Sequence, residues 1–237
     1  MSVIESMIVL LVSALGSLFQ GISGLGLNLF AAPVLMMIEP GFVPGPIMAA
    51  SILLTVAIVL RDRSGVDLRG VGWLTAGMLP GCILGGFLLP IVPVRILAIV
   101  LGILVLVGVA VSLGGFHFPS KWWVLAIAGF LSGLGGTMAS IGGPPAAVVT
   151  QDMEPRRLRA TLSGYFLLLG IVSVISLIPS GHFGLLEIKL TGWIVAGAAA
   201  GFLASYVFIG RMNRQISRYA VLALSALSAI LLLAYQF

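Results

Sequence analysis

Gln20-Gly-Ile-Ser-Gly-Leu-Gly-Leu-Asn-Leu-Phe-Ala-Ala-Pro33 is an apolar stretch broken by glycines, and 112 positions later Ser132-Gly-Leu-Gly-Gly-Thr-Met-Ala-Ser-Ile-Gly-Gly-Pro-Pro145 says nearly the same thing. Glycine and proline free backbone polar groups, and inside a bilayer such groups are tolerated only where they are buried in protein or line a cavity. Two broken apolar segments at corresponding places in two halves of a chain are the sequence pattern of a transporter's binding site.

Composition sets the solvent. With 60% hydrophobic and 8% charged residues and a mean hydropathy of +1.22, the chain cannot assemble a water-facing surface, which needs roughly a quarter to a third charged residues. The class is an all-α polytopic membrane protein. A net charge of +5 does not indicate nucleic acid, because the bases sit in short loops between apolar runs, as membrane topology requires. The first base is Arg61, so the first apolar stretch lacks the positive region of a cleaved signal and is expected to stay in the mature protein. One cysteine, Cys82, excludes an internal disulfide and any cysteine-based metal framework. It reads as a small buried filler. No cofactor or metal is expected: His117 and His182 lie in loops without metal-ligand spacing.

Apolar segments fall at about 3–20, 28–38, 44–60, 70–89, 94–113, 122–135, 143–152, 159–178, 188–209 and 217–236. Segments 28–38 and 143–152 are too short to span, since a crossing takes about 20 helical residues. Each reads as a half-helix behind a glycine break. The linkers are short, so residues 1–237 form a single transmembrane domain, with repeat 1 over 1–115 and repeat 2 over 116–237. The duplication continues past the breaks: Ser51 pairs with Ser163, Trp73, Gly77 and Gly81 with Trp193, Gly197 and Gly201, and Arg95 with Arg218. Trp73, Trp122, Trp123 and Trp193 read as an interfacial aromatic belt.

Charge decides how the copies are oriented. If both broken segments span, the copies are parallel and the bases divide seven against five. If each broken segment is a re-entrant hairpin, each copy has three true crossings, the copies are inverted, and ten bases lie on one side with Arg95 and Lys189 on the other. The positive-inside rule prefers the second arrangement. The expected fold is therefore two inverted repeats, each a broken re-entrant helical hairpin plus three transmembrane helices. The Arg61–Arg69, Arg156–Arg159 and Arg211–Arg218 loops are expected in the cytoplasm and both termini in the periplasm.

Pro33, Pro144 and Pro145 are expected near the first positions of the half-helices, where a missing N–H costs nothing. Two helix N-termini would then meet near the midplane, each with unpaired N–H groups and roughly half a positive charge. That is an anion cup built from backbone. Gly24, Gly26, Gly135, Gly136, Gly142 and Gly143 shape it, and Gln20, Ser23, Asn28, Ser132, Thr137 and Ser140 supply neutral hydrogen-bonding groups. Ser51, Thr55, Ser163 and Tyr165 could reach it from the next helices. Glu39 and Asp152 end the half-helices, either as solvated loop charges or as parts of a gate or proton relay.

This order of glycine break, proline half-helix, small-residue spans and duplication resembles the sulfite exporter TauE/SafE family over essentially the whole chain. The resemblance implies a bacterial inner-membrane permease for small sulfur-containing anions such as sulfite, sulfoacetate or thiosulfate, often exporting them. The partners it implies are an inorganic or organosulfur anion and the lipid bilayer; a coupling proton and a homodimer are left open. A passive anion channel or a membrane subunit of a larger assembly is the alternative. Enzyme chemistry is disfavoured because no His, Asp or Glu falls in a central span, and neither glycine cluster continues into the Gly-Lys-Ser/Thr of a phosphate-binding loop.

Overall fold

The computed structural model describes residues 2–62, 65–115, 119, 121–209 and 214–236. Arg63, His117 and Arg211 lie outside the described residues, as do the side chains of Arg214 and Arg218. The chain is all helical among the described residues: α1 (Val3–Ser23), α2 (Leu27–Ile38), α3 (Gly45–Asp62), α4 (Leu68–Leu88), α5 (Val94–Leu113), α6 (Trp122–Ala139), α7 (Gly143–Thr150), α8 (Pro155–Leu177), α9 (Leu185–Phe208) and α10 (Arg214–Gln236). Every helix but α2 and α7 is long and apolar enough to cross a bilayer, eight in all among the described residues. At 12 and 8 residues, α2 and α7 reach about 18 and 12 Å, far short of a hydrocarbon core of about 30 Å.

Small residues bring the backbones together. Gly197 and Gly201 of α9 face the Leu10 and Ala14 carbonyls of α1, and Gly21 of α1 meets Ser205. In the same way Gly77 and Gly81 of α4 face the Ala126 and Phe130 carbonyls of α6, while Gly129 and Gly133 face Leu74 and Met78. Residue numbers rise together in both pairs, so α1 runs alongside α9 in one direction, and α4 alongside α6. In contrast α3 and α8 are antiparallel, with Gly170 on Ile52 and Arg159 on Asp62. So are α5 and α10, with Gly102 on Leu233 and Arg95 donating to the Gln236 carbonyl at 2.9 Å. Further contacts join the two arms of each hairpin, α1 with α2 and α6 with α7, and link α4 with α8, α3 with α9, α2 with α10 and α5 with α7. Exchanging α1–α5 with α6–α10 turns α1 with α9 into α6 with α4, α4 with α8 into α9 with α3, α2 with α10 into α7 with α5 and α1 with α2 into α6 with α7, and returns α3 with α8 and α5 with α10 to themselves.

Tracing the directions places the starts of α1, α3, α5 and α9 and the end of α10 at one end of the bundle. The Asp62, Pro155 and Trp122 ends lie at the other. Ser2 and Glu5 cap α1 reciprocally, Ser2 N to Glu5 Oε2 at 2.7 Å and Glu5 N to Ser2 Oγ at 3.2 Å. The outward faces carry Ile83, Phe87, Ile103, Leu203 and Ile230, all exposed, a surface that lipid tails accept and water does not. Trp73 and Trp122 pair at 5.6 Å between ring centroids near the Asp67 end.

Two local expectations are corrected. Pro33 is seven residues into α2, which starts at Leu27 behind Gly26; only Pro144 and Pro145 sit in a first turn. Helix α8 starts at Pro155, so Arg156, Arg157 and Arg159 belong to its first turns and Arg159 is buried. The close approaches give a direct test. Gly77→Leu drives a side chain into the Ala126 backbone and should destabilise the detergent-purified protein by about 3 kcal/mol, whereas Gly72→Leu on the same helix, with nothing within 4 Å, should leave its Tm unchanged.

Candidate functional site

Both hairpin tips are built on one plan. Helix α1 ends at Gly24 in the left-handed conformation (φ 87°), whose N–H returns to the Gln20 carbonyl at 2.8 Å. The chain doubles back through Leu25 and Gly26, and Gly26 lies against the Gly16 carbonyl and the Gln20 amide. Gln20 Oε1 then accepts the Leu27 N–H at 3.0 Å, satisfying one of the first amides of α2 that no helical carbonyl can reach. Helix α6 ends in the same left-handed turn at Ser140 (φ 61°), with Ser140 N bonded to the Gly136 carbonyl at 2.8 Å and Ile141 N to that of Gly135 at 3.1 Å. A non-glycine residue held there marks a locally over-determined backbone. Ser132 Oγ donates to the Gly142 carbonyl at 2.5 Å, and Ser140 Oγ reaches across to the Pro44 carbonyl at 3.1 Å.

These caps fix the correspondence between the halves. Gly24 matches Ser140 and Gly26 matches Gly142, 116 positions apart, and the glycine contacts of α4 with α6 and α9 with α1 agree. The 112-position match of Gln20–Pro33 with Ser132–Pro145 is thus out by four residues, about one helical turn. Small residues recurring every turn made the two registers look alike.

Between the tips lies a cavity of about 30 Å³, lined by Gln20, Leu25, Gly26, Asn28 and Leu29 from the first hairpin, Ser140, Ile141, Gly142 and Gly143 from the second, Met48 and Ser51 from α3, and Phe166 and Leu169 from α8. Leu25 and Gly26 face their counterparts Ile141 and Gly142. Met48 and Ser51 stand 118 positions before Phe166 and Leu169, so Ser51 is matched in place by Leu169 and not by Ser163. The volume holds little more than one water; an oxyanion enters only if side chains such as Leu29 or Phe166 move. A second cavity of about 440 Å³ shares Leu25 and Leu29 with the first and runs past Ser23, Pro144, Asp152 and Leu158 to Ser112 and Gln215. It is a vestibule on the side of the basic helix ends.

Of the residues anticipated at the cup, Gln20, Gly26, Asn28, Ser51, Ser140, Gly142 and Gly143 line the small cavity. Ser23 lines the vestibule, and Gly24 and Ser132 hold the tips in shape. The others lie behind the wall. Gly135 packs on Ile141 and Gly136 on Leu169. Thr137 Oγ1 pairs with Ser173 Oγ at 2.9 Å, beside Cys82. Tyr165 is fully buried with its hydroxyl 3.5 Å from the Gly129 carbonyl, and Ser163 is buried in α8 with no partner for its hydroxyl among the described residues. Thr55 bonds back to the Ser51 carbonyl at 2.7 Å. Leu25, Leu29, Met48, Ile141, Phe166 and Leu169 were not anticipated, because apolar wall residues carry no chemical signature.

A buried charge cluster was also missed. Asp62 Oδ2 takes the Arg159 Nε at 2.7 Å, and Arg61 lies 3.3 Å away on the same oxygen. Arg61 also donates to the Gly21 carbonyl at 2.5 Å and Arg159 to that of Ile22 at 3.2 Å. These are last-turn carbonyls of α1, unpaired within the helix and negative in potential. The cluster therefore ties the first hairpin to α3 and to α8 just behind the cup. Arg61 stacks on Phe202 and Tyr206 of α9 as well, 5.2 Å from each ring centroid.

A bundle of apolar helices around two facing broken hairpins, with a small cavity of mixed apolar and hydrogen-bonding lining where they meet, defines a multi-pass membrane permease. Residues 9–232 match the family model described as sulfite exporter TauE/SafE, and the chain belongs to that family, whose members are membrane transporters and not enzymes. No curated protein and no solved structure matches it. The charge cluster gives the second prediction. Asp62→Asn leaves two buried guanidinium groups without their carboxylate and should cost about 3–5 kcal/mol, read as a lower Tm in detergent. Adding Arg159→Gln to it should recover part of that loss.

Proposed function

We propose that this chain is a secondary transporter that carries small sulfur-containing anions such as sulfite, sulfoacetate or thiosulfate across the bacterial inner membrane by alternating access around the cavity between the two hairpin tips. The observation that carries this reading is the cavity itself. It collects Gln20, Asn28, Ser51 and Ser140 with the N-terminal ends of α2 and α7 at a place where both helices are broken. Its wall carries hydrogen-bonding groups and, among the described residues, no ionisable side chain. The Ser51 and Ser140 hydroxyls are spent on the Met48 and Pro44 carbonyls, so the donors are backbone and side-chain amides, and an anion held by amides alone is released again, as transport requires.

Residues 1–115 and 116–237 act as two inverted repeats of one domain. The contact network that survives exchange of the halves, with α1 beside α9 and α4 beside α6 in common directions, supports this organisation. The ten-to-two division of bases orients it, with the Asp62 end in the cytoplasm and both termini in the periplasm. The vestibule then opens inward, and Leu25 with Leu29 separates it from the cup. A cavity of only about 30 Å³ suits a gated carrier better than a continuous pore. Export is the favoured direction, because an inside-negative potential drives an anion outward by about 2.3 kcal/mol per charge per 100 mV.

Efflux of labelled sulfite from proteoliposomes of the purified protein tests the proposal. The wild type should show saturable flux. Asn28→Leu should lower it at least about tenfold, the loss of one charge-assisted hydrogen bond worth about 1.5–3 kcal/mol, and Ser51→Leu, at a position whose hydroxyl is spent on the Met48 carbonyl at 2.8 Å, should lower it by filling the cavity it lines; both variants should insert and purify normally. Normal transport by both variants would place the site elsewhere.

A further inference from the structure

We infer that the cup takes its substrate as a protonated monoanion, hydrogen sulfite, and discriminates against sulfite, thiosulfate and other dianions. This rests on the transporter reading above and narrows it, removing thiosulfate and sulfoacetate, both dianions at neutral pH, from the preferred substrates.

Three observations lead there. The first is the charge available. The cup's positive potential comes from the N-termini of α2 and α7, each equivalent to roughly half a charge, so together they offset about one negative charge. Among the described residues the lining contains no Lys, Arg or His. Pro144 and Pro145 occupy the first turn of α7 and have no N–H to give, so the second tip is the poorer donor. Arg61 and Arg159 lie close by, yet both are held on Asp62 and on the Gly21 and Ile22 carbonyls. Removing a dianion from water costs about four times as much as removing a monoanion of the same size, because Born energy grows as the square of charge, whereas its attraction to the cup only doubles.

The second observation is an available donor. Gln20 is 4% exposed and lines the cavity. Its Oε1 is engaged by Leu27 N–H, and its Nε2 has no hydrogen-bond partner among the described residues, leaving an N–H for a ligand oxygen. The third is an acceptor. Asn28 Nδ2 points to the Met48 sulfur at 3.7 Å, which leaves Asn28 Oδ1 buried and unpartnered. A dianion has no proton to offer that oxygen and would be repelled by it. Hydrogen sulfite carries one proton and one charge, matching both the acceptor and the potential.

The groups whose own titration could imitate this behaviour are few. Among the described residues these are Asp62, Arg61 and Arg159 behind the first tip, Asp152 in the vestibule, Glu39 at the far end of α2, and Cys82 and Tyr165 buried behind α6 and α8. A substrate whose charge does not change over the same pH range separates their effect from that of the substrate.

The experiment measures KM for total sulfite, thiosulfate and methanesulfonate in proteoliposomes across the neutral pH range at fixed voltage. Sulfite titrates between monoanion and dianion there, thiosulfate stays a dianion and methanesulfonate stays a monoanion. The expected result is a sulfite KM that rises about tenfold per pH unit above the hydrogen sulfite pKa, a flat methanesulfonate KM and weak thiosulfate transport throughout. Gln20→Lys, which adds a cation to the cup, should narrow the gap between thiosulfate and sulfite. Saturable transport with a sulfite KM that is flat or falls with pH, or with thiosulfate carried as well as sulfite, would overturn the charge rule and leave the transporter reading standing. No movement of any of the three would overturn both.

Discussion

In a hydrocarbon slab a backbone amide or carbonyl that leaves its helix has no water to turn to, so each must find a partner in the protein. Two apolar hairpins here, α1 with α2 and α6 with α7, turn back through glycine-containing breaks, and the arrangement around them follows from that constraint. Gln20 takes the Leu27 N–H, Ser132 gives its proton to the Gly142 carbonyl, and the left-handed turns at Gly24 and Ser140 return the last helical carbonyls to N–H groups. Arg61 and Arg159 serve the last-turn carbonyls of α1 from the other direction. What remains unpaired faces the small cavity between the tips, and there it is available to a ligand.

The small-residue stripes serve the same end. Glycines facing carbonyls in the α1 and α9 pair and in the α4 and α6 pair give contact without long side chains, so each hairpin is braced along its outer arm by a helix of the other half. The polar side chains where the tips meet are unevenly shared. The first half supplies Gln20, Asn28 and Ser51, and the second supplies Ser140 with a wall of Phe166 and Leu169, so most of the polar lining comes from the first half.

The helices and the two breaks were legible in the sequence because glycine and proline interrupt apolar periodicity visibly, and the termini of α5 and α3 fall where the apolar runs stop. The register between the halves was not. Glycine and serine recur about one turn apart, so a match of composition at 112 positions hid the match of geometry at 116, which only the caps at Gly24 and Ser140 reveal. Helix faces were equally hidden: Phe166 and Leu169 line the cavity while Tyr165, one residue away, points to Gly129. Asp62 was unreadable as a core residue because it stands among arginines at a segment end. Its burial depends on α8 beginning four residues before the apolar run does.

The account's central claim is that a sulfur oxyanion binds between the two tips, and the most direct test is to locate one. Hydrogen selenite has nearly the shape and the charge of hydrogen sulfite, and its selenium can be found by anomalous scattering in crystals of the protein soaked with it. The account predicts a selenium peak within hydrogen-bonding reach of Gln20, Asn28 and the Gly142–Gly143 turn. A cup that stays empty at saturating selenite, with the anion found only in the vestibule or among the basic helix ends, would contradict it.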